Sequence, residues 1–353
     1  MEGTRKRPWS DLPPELLSMI GTRLHTRMDV LRFRSVCSSV RSSIPLPHRS
    51  SLRFPFRITC LPGTALFLRK RTVYTLETPD GAASCRMRWL LKLEESELGN
   101  MPILSLFSQQ RLIVSLPCKF PLVLDSLQFR MVEICSECTL ECRGMQRELV
   151  HPDCAWTNQD QCLVYFIDGG GQLWYWKYED ENRSHLGCGY GDIVVYQGKV
   201  YQGKVYVVDK SGSVSQVDSS FRLQSFSLPI NHGCGCHCRH WKHLVVSSGD
   251  LYAVDICSRL GEIMRTPDFR VYRLDQQCGR WEEVRSLGNS AFFLCNLCSF
   301  AVSAREVHWC KGDCIYYAGR SFSSYFSKDK VMMFSLADCR HKCPDFSVLF
   351  KDN

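Results

Sequence analysis

Residues 232–240 bring together His232, Cys234, Cys236, His237, Cys238 and His240. These are the side-chain types that hold zinc, through thiolate sulfur or imidazole nitrogen. Their order, Cys-x-Cys-x-Cys, lacks the two-residue gap of a zinc pair, and no second pair stands at finger distance. The stretch therefore reads as a loop between strands, and no metal or other cofactor is expected. Cys135-x-x-Cys138-x-x-x-Cys142 and Cys295-x-x-Cys298 raise the same question. A redox pair of this spacing belongs beside a βαβ unit, and neither has one around it. Gly169-Gly170-Gly171 is followed by no Lys-Ser/Thr and opens no helix, so it is a hairpin turn rather than a phosphate loop. No nucleophile elbow, zinc helix or kinase signature is present. A non-catalytic protein is expected.

Aromatic residues are the better guide to binding. Trp174, Trp176 and Tyr178 alternate and so share one strand face. Trp281, Tyr316, Phe322, Tyr325 and Phe326 fall near turns. Internal packing accounts for most of these rings. Trp and Tyr also anchor protein interfaces, which makes Trp174, Trp176, Tyr178, Tyr316, Phe322 and Tyr325 candidates for contact with a target protein.

The elements that must position these groups are mostly short strands. Segments 52–61, 64–69, 72–77, 89–94, 104–107, 112–116 and 131–135 alternate as strands do, and 120–129 reads as a short helix or a loop. Clear hairpins follow: 162–167 with 172–178, 204–208 with 213–217, 244–247 with 251–255, and 269–274 with 281–284. Segments 314–318 and 331–336 add two strands. Gly and Asp fill the turns, where positive φ is needed. Strand-turn-strand units returning every ~40 residues point to a β-propeller, with room for six or seven blades between 57 and 350. Val195-Tyr196-Gln197-Gly198-Lys199 is repeated at once as Val200-Tyr201-Gln202-Gly203-Lys204. An odd insertion within a strand would turn every later side chain to the other face, so one copy is expected to bulge or lengthen a hairpin with the flanking register kept.

The chain has 353 residues and a hydrophobic fraction of 44%, ample for a core. No run approaches the ~20 apolar residues of a membrane span. The opening residues lack a signal-peptide core, which leads to the expectation of a cytoplasmic or nuclear protein. Its 21 cysteines then read as reduced thiols. Residues 1–57 hold 11 Lys/Arg against 4 Asp/Glu, and the remainder 33 against 32, so nearly all of the net charge of +8 sits at the N-terminus. A nucleic-acid reader would carry that charge on its large domain, so nucleic acid is not the expected partner and an acidic protein surface is.

The N-terminal run 9–44 is helical. Leu16, Leu17, Ile20 and Leu24 recur at helical spacing after Pro13-Pro14, with Gly21 inside the helix. Thr26-x-x-Asp29 reads as a capping box that starts a second helix, and a third follows from 38 or 39 until Pro45. Three short helices cannot bury all of these apolar groups on one another. The pattern Leu-Pro-x-Glu-Leu-Leu, Leu24, Asp-Val-Leu-Arg and Ser-Val-Cys resembles the F-box. The usual basic-Trp pair after Val-Cys is replaced by Ser38, Ser39 and Val40. The resemblance implies that Leu12, Pro13, Leu16, Leu17, Ile20, Leu24, Leu31, Val36 and Cys37 pack against Skp1, the adaptor of cullin-RING ubiquitin ligases.

Gly191-Asp192-Ile193-Val194-Val195, Lys204 to Asp209, Arg280-Trp281-Glu282-Glu283-Val284 with Ala291-Phe292-Phe293-Leu294, 298–304 and 311–317 are similar to the kelch-like propeller domain of plant F-box proteins related to the Skp1-interacting-partner group. That resemblance implies a substrate receptor of an SCF ligase, with an unknown target. The expected organisation is a basic arm over 1–8, an F-box over 9–47, a linker over 48–56 and a β domain over 57–350. A Skp1-bound scaffold, a propeller enzyme and a nucleic-acid regulator are the rival readings.

Overall fold

Pro14 at the first position of α1 (Pro14–Thr22) gives up no hydrogen bond, since a helix's first N–H groups have no internal partner. The computed structural model describes residues 11–24, 26–45, 54–61, 64–77, 88–96, 101–107, 130–140, 145–153, 159–196, 203–231, 238–259, 267–295, 297–307, 309–319 and 330–344. The expected segments 112–116 and 120–129 lie outside them. In α2 (Arg27–Ser35) the N-cap Thr26 accepts from Asp29 N at 3.1 Å. The reciprocal half of the box is altered, because Thr26 Oγ1 donates to Asp29 Oδ2 at 2.7 Å. Cys37 caps α3 (Ser38–Ser43) through its sulfur. Leu17, Val30, Val40 and Ile44 form the interior of the three helices. Gly21 is required there: a Cβ would stand 2.6 Å from Ile44 Cδ1, so the residue that weakens α1 lets it close on Ile44.

The rest is strand. The first sheet holds β1 (Phe56–Leu61), β2 (Thr64–Glu77), β3 (Arg88–Glu94), β4 (Ile103–Leu104), β5 (Arg130–Leu140), β6 (Met145–His151), β7 (Leu163–Asp168), β8 (Gln172–Lys177) and β9 (Ser184–Cys188). Its order is β4-β3-β2-β5-β6-β7-β8-β9, with β1 beside β2. The second is β10 (Tyr190–Tyr196), β11 (Lys204–Asp209), β12 (Val214–Val217) and β13 (Leu223–Ser225), and the third β14 (Cys238–Ser247), β15 (Asp250–Arg259), β16 (Asp268–Asp275) and β17 (Arg280–Val284). The fourth contains β18 (Ser290–Leu294), β19 (Ser299–Ser303), β20 (Cys314–Gly319), β21 (Lys330–Ser335) and β22 (Arg340–Lys342), in the order β19-β18-β20-β21-β22. The second and third sheets are simple meanders. In the fourth, β18 runs parallel to β20.

The expected pair 64–69 and 72–77 is one strand, β2. Lys70 and Arg71 looked like an interruption, but Lys70 pairs with Asp153 at 2.6 Å and Arg71 with Glu94 at 2.8 Å. The four expected hairpins are all present, with β14 and β15 extended well beyond 244–255. Their glycines do take positive φ, at Gly171, Gly212, Gly249 and Gly279. The aspartates act differently. Asp168 Oδ1 accepts from Gly170 N and Gln172 N, Asp209 Oδ1 from Ser213 N, and Asp275 Oδ1 from Gln277 N. Asp168 and Asp275 thus close Asx turns with Gly170 and Gln277, while Asp209 ties the far side of its turn through Ser213 N. Gly212 combines φ +88° with Ile230 Cγ1 2.6 Å from any added Cβ. Gly212→Ala is expected to cost about 2 kcal/mol or more, read as a fall in the urea midpoint.

Candidate functional site

The predicted helical residues divide by face. Leu17 is 0% exposed and Leu16 45% exposed, although both fit the apolar spacing. Leu16, Met19 and Ile20 stand at i, i+3 and i+4 on the outer side of α1, while Leu17 and Gly21 face the interior. Leu17 is therefore corrected: it fills the space between the helices and is not available to a partner. Leu31 and Val36 are also exposed, as is Pro13. Leu12, Leu24 and Cys37 pack partly onto the interior. Met19, 53% exposed, was missed by the sequence reading although its spacing from Leu16 signals it.

A different surface attaches the helices to the strands. Met28 packs on Tyr74, Leu76, Leu91, Leu93 and Met131. Arg32 Nη1 donates to Met131 O at 2.7 Å. So α2 meets the first sheet, while among the described residues Leu16, Met19 and Ile20 on the outer face of α1 are exposed.

Of the predicted aromatic candidates, Trp176 and Tyr316 are corrected to buried packing, and Trp174 and Tyr178 are partly buried. Trp174, Trp176 and Tyr178 do share a face, but it packs on the cluster of Phe56, Ile58, Leu68 and Phe166. Trp176 is buried and donates Nε1–H to Asp180 O at 2.8 Å. Trp174 donates to Asp168 Oδ2 at 3.1 Å and lies under the Arg183 guanidinium, 4.1 Å from its ring centre. Tyr316 is buried against Phe293, with centroids 4.8 Å apart, and its hydroxyl accepts from Lys311 N. Both indoles and the Tyr316 phenol find a polar partner within their own fold, and Tyr178 packs on Phe56 and Trp176. Phe322, Tyr325 and residues 232–237 lie outside the described residues. Among the described residues no three His, Cys, Asp or Glu side chains converge to hold a metal.

What the sheets bring together instead is a polar ring. Arg147 on β6 pairs through Nε with Asp192 Oδ1 on β10 at 3.0 Å. Asp192 Oδ2 accepts from Leu244 N on β14 at 2.8 Å. Arg147 Nη2 donates to His243 Nδ1 at 2.8 Å, and Nη1 to Cys295 O at 3.3 Å. His243 Nδ1 lies 3.1 Å from Ser299 Oγ on β19. Cys298, just before β19, meets Cys135 on β5, and Cys138 on β5 is paired with Glu148 on β6. One circuit, β5-β6-β10-β14-β19, thus closes on itself. Burial, then the Arg147 charge, holds His243 well below the ordinary imidazole range, so it is a neutral acceptor. Sequence reading singled out Asp192 in Gly-Asp-Ile-Val-Val and Cys135, Cys138 and Cys298 in their Cys-x-x-Cys motifs, but nothing in it joined them to Arg147, His243 and Ser299, because the members are spread over five strands.

Glu148 stands beside the ring. Oε1 accepts from Leu140 N at 3.5 Å, and Oε2 is buried with no hydrogen-bond partner among the described residues. Burial pushes its carboxyl from 4.5 up to about 7, against the Leu140 N–H and the charges of Arg147 and Arg71, with Glu137 adding to the rise. The unfolded chain then loses this proton at lower pH than the folded one. Stability falls as pH climbs from 4.5 towards 7 and levels off above. Asp192 and Glu133, also raised by burial, act in the same direction. Glu148→Gln isolates one contribution: it is expected to gain roughly 2–3 kcal/mol at pH 8 and little at pH 4.5 in urea titrations.

Residues 63–339 match the KIB1-4 beta-propeller family. At5g60060 of Arabidopsis thaliana, provisionally named an F-box protein, is 30% identical over 83% of this chain and 83% of its own length. The F-box protein At4g35733 of the same plant is 28% identical over 94% and 92%. At5g24040, provisionally named an F-box/kelch-repeat protein, is 24% identical over 85% and 83%. The closed circuit of strands agrees with a propeller, and the three short helices precede it where the F-box pattern lies. The chain belongs to the plant F-box proteins that carry a KIB1-4 β-propeller.

Proposed function

We propose that this protein is the substrate-recognition subunit of an SCF-type ubiquitin ligase. Residues 9–47 act as the F-box and dock on a Skp1-like adaptor, and the propeller holds a target protein. The observation that carries this reading is the open apolar face of α1, Leu16, Met19 and Ile20, on helices whose other side is fixed to the β domain through Met28 and Arg32. Burying such side chains supplies ~1.5–3 kcal/mol each before ordering costs. The catalytic effect is proximity: the receptor raises the local concentration of acceptor lysines and makes no bond itself. The place of action is the cytoplasm or nucleus.

We read the propeller as five blades. The nine-stranded sheet divides at β5/β6, where the single ladder pair is Cys138 with Glu148, and each resulting unit sends one strand to the polar ring. The ~40-residue period counted six or seven because the strands of the first unit are spread from 56 to 140.

Co-purification of the full chain with a Skp1-like adaptor, followed by reconstituted ubiquitylation of a co-captured protein, tests the assignment. Adaptor capture without transfer to any captured protein would leave a scaffold. No adaptor capture would end the ligase reading.

A further inference from the structure

Neither Cys-x-x-Cys motif closes on itself. One cysteine from each meets across the place where the chain's first sheet reaches its last. Cys135 lies on β5. Cys298 lies in the connection between β18 and β19, where Cys295 N donates to Cys298 O at 3.1 Å. The two Sγ atoms are 3.7 Å apart although 163 positions separate them in sequence. Cys298 Sγ also donates to Glu137 Oε2 at 3.2 Å, and Glu137 is held by Lys92. The proton of Cys298 therefore points at a carboxylate, and the S–H between the two sulfurs is that of Cys135. That hydrogen bond, followed by burial, pushes the Cys135 thiol well above its usual range.

A thiol buried among apolar groups is inert. This pair differs in having a proton acceptor on one member and the other member in line behind it. Both residues keep partial exposure, and a small neutral oxidant would have to enter here. Among the described residues no ladder joins β5 to β19, and the circuit is sealed here by side chains alone.

We propose that Cys135 and Cys298 are a redox clasp, forming a reversible disulfide when the protein meets a hydroperoxide. Cys298 passes its proton to Glu137, and its sulfur attacks the peroxide oxygen. The O–O bond breaks, the leaving oxygen takes the proton as water or alcohol, and Cys298 is left as a sulfenic acid. Cys135 sulfur then attacks that sulfur, the S–O bond breaks, and the hydroxide leaves with the Cys135 proton as water. Two thiols are oxidised and one peroxide is reduced. The sulfurs must approach from 3.7 Å to ~2.05 Å. Cys298 sits outside a ladder, so its side chain can make most of that movement.

The test uses the full reduced chain and hydrogen peroxide. Free thiols are alkylated under denaturing conditions and the peptides are mapped by mass. A linked peptide containing Cys135 and Cys298 is expected, reversed by dithiothreitol. The melting temperature should rise with it by about 5 °C, since the link constrains a long loop of the unfolded chain. Cys135→Ser is expected to lose the link and accumulate sulfenic acid at Cys298, trapped by dimedone, while Cys295→Ser keeps the link. Glu137→Gln is expected to slow linkage at least about tenfold, and an unchanged rate would overturn the choice of Cys298 as nucleophile. Recovery of Cys135 and Cys298 as free thiols while other cysteines are consumed would overturn the clasp. So would a link between Cys298 and Cys295.

Discussion

Leu16→Asp/Ile20→Asp is expected to abolish capture of a Skp1-like adaptor, with a loss of affinity beyond about 100-fold, and to leave the melting temperature within about 1 °C of wild type. Each substitution deletes an apolar side chain from the proposed interface and leaves a carboxylate in its place. Neither side chain supports the fold, because both stand on the outer side of α1. Leu17→Ala should do the reverse. It opens a cavity among Val30, Val40 and Ile44 and costs about 2–5 kcal/mol of helix packing. Binding measured by calorimetry beside thermal melts separates the two. Equal loss of stability from both variants would mean that the open face is part of the core, and retention of adaptor by the double aspartate would remove the proposed interface.

Asp192→Ala should be the most damaging single change in the β domain. Its carboxylate neutralises Arg147 and accepts from Leu244 N and Ile193 N. Removing it leaves the buried Arg147 charge without its counter-ion, although Nη2 and Nη1 keep His243 Nδ1 and Cys295 O, and takes the side-chain acceptor from Leu244 N and Ile193 N, at a cost of about 3–5 kcal/mol. The effect should read as a large fall in the urea midpoint. It spans three strands, so loss should be cooperative rather than local. Arg147→Met/Asp192→Leu should recover much of the deficit, because a buried pair replaced by apolar groups of like size is often close to neutral. A double variant worse than Asp192→Ala would show that the pair's net contribution exceeds its desolvation cost.

Hairpins were readable in the sequence because their chemistry is local. Asp168 and Gly171, or Asp209 and Gly212, stand a few positions apart and act on each other's backbone. Strands with charged residues inside them were drawn too short for the opposite reason. Lys70, Arg71 and Lys242 look like surface or turn residues until their partners Asp153, Glu94 and Asp255 arrive from distant strands. Two of the aromatic candidates, Trp176 and Tyr316, proved to be interior for a like reason. Alternation placed Trp174, Trp176 and Tyr178 on one face correctly, but period two cannot tell a solvent face from one covered by another sheet. On α1 the spacing of Leu16 and Leu17 fits an apolar stripe, and only the approach of Ile44 to Gly21 decides which of them is inside.

The repeated pentapeptide has a simple reading once the ladder is known. Tyr196 is paired with Lys204 and Val195 with Val205. Excising one copy would make Lys199 the partner of Tyr196, with Gln197-Gly198 between them, a two-residue connection of the commonest hairpin length. The duplication enlarges that connection to residues 197–203 and leaves every pair behind it unshifted, for an added closure cost of about 1 kcal/mol. Replication slippage could therefore lengthen this gene without a folding penalty large enough to be purged, and the same tip should accept an epitope tag or a further pentamer where an insertion one strand earlier would not.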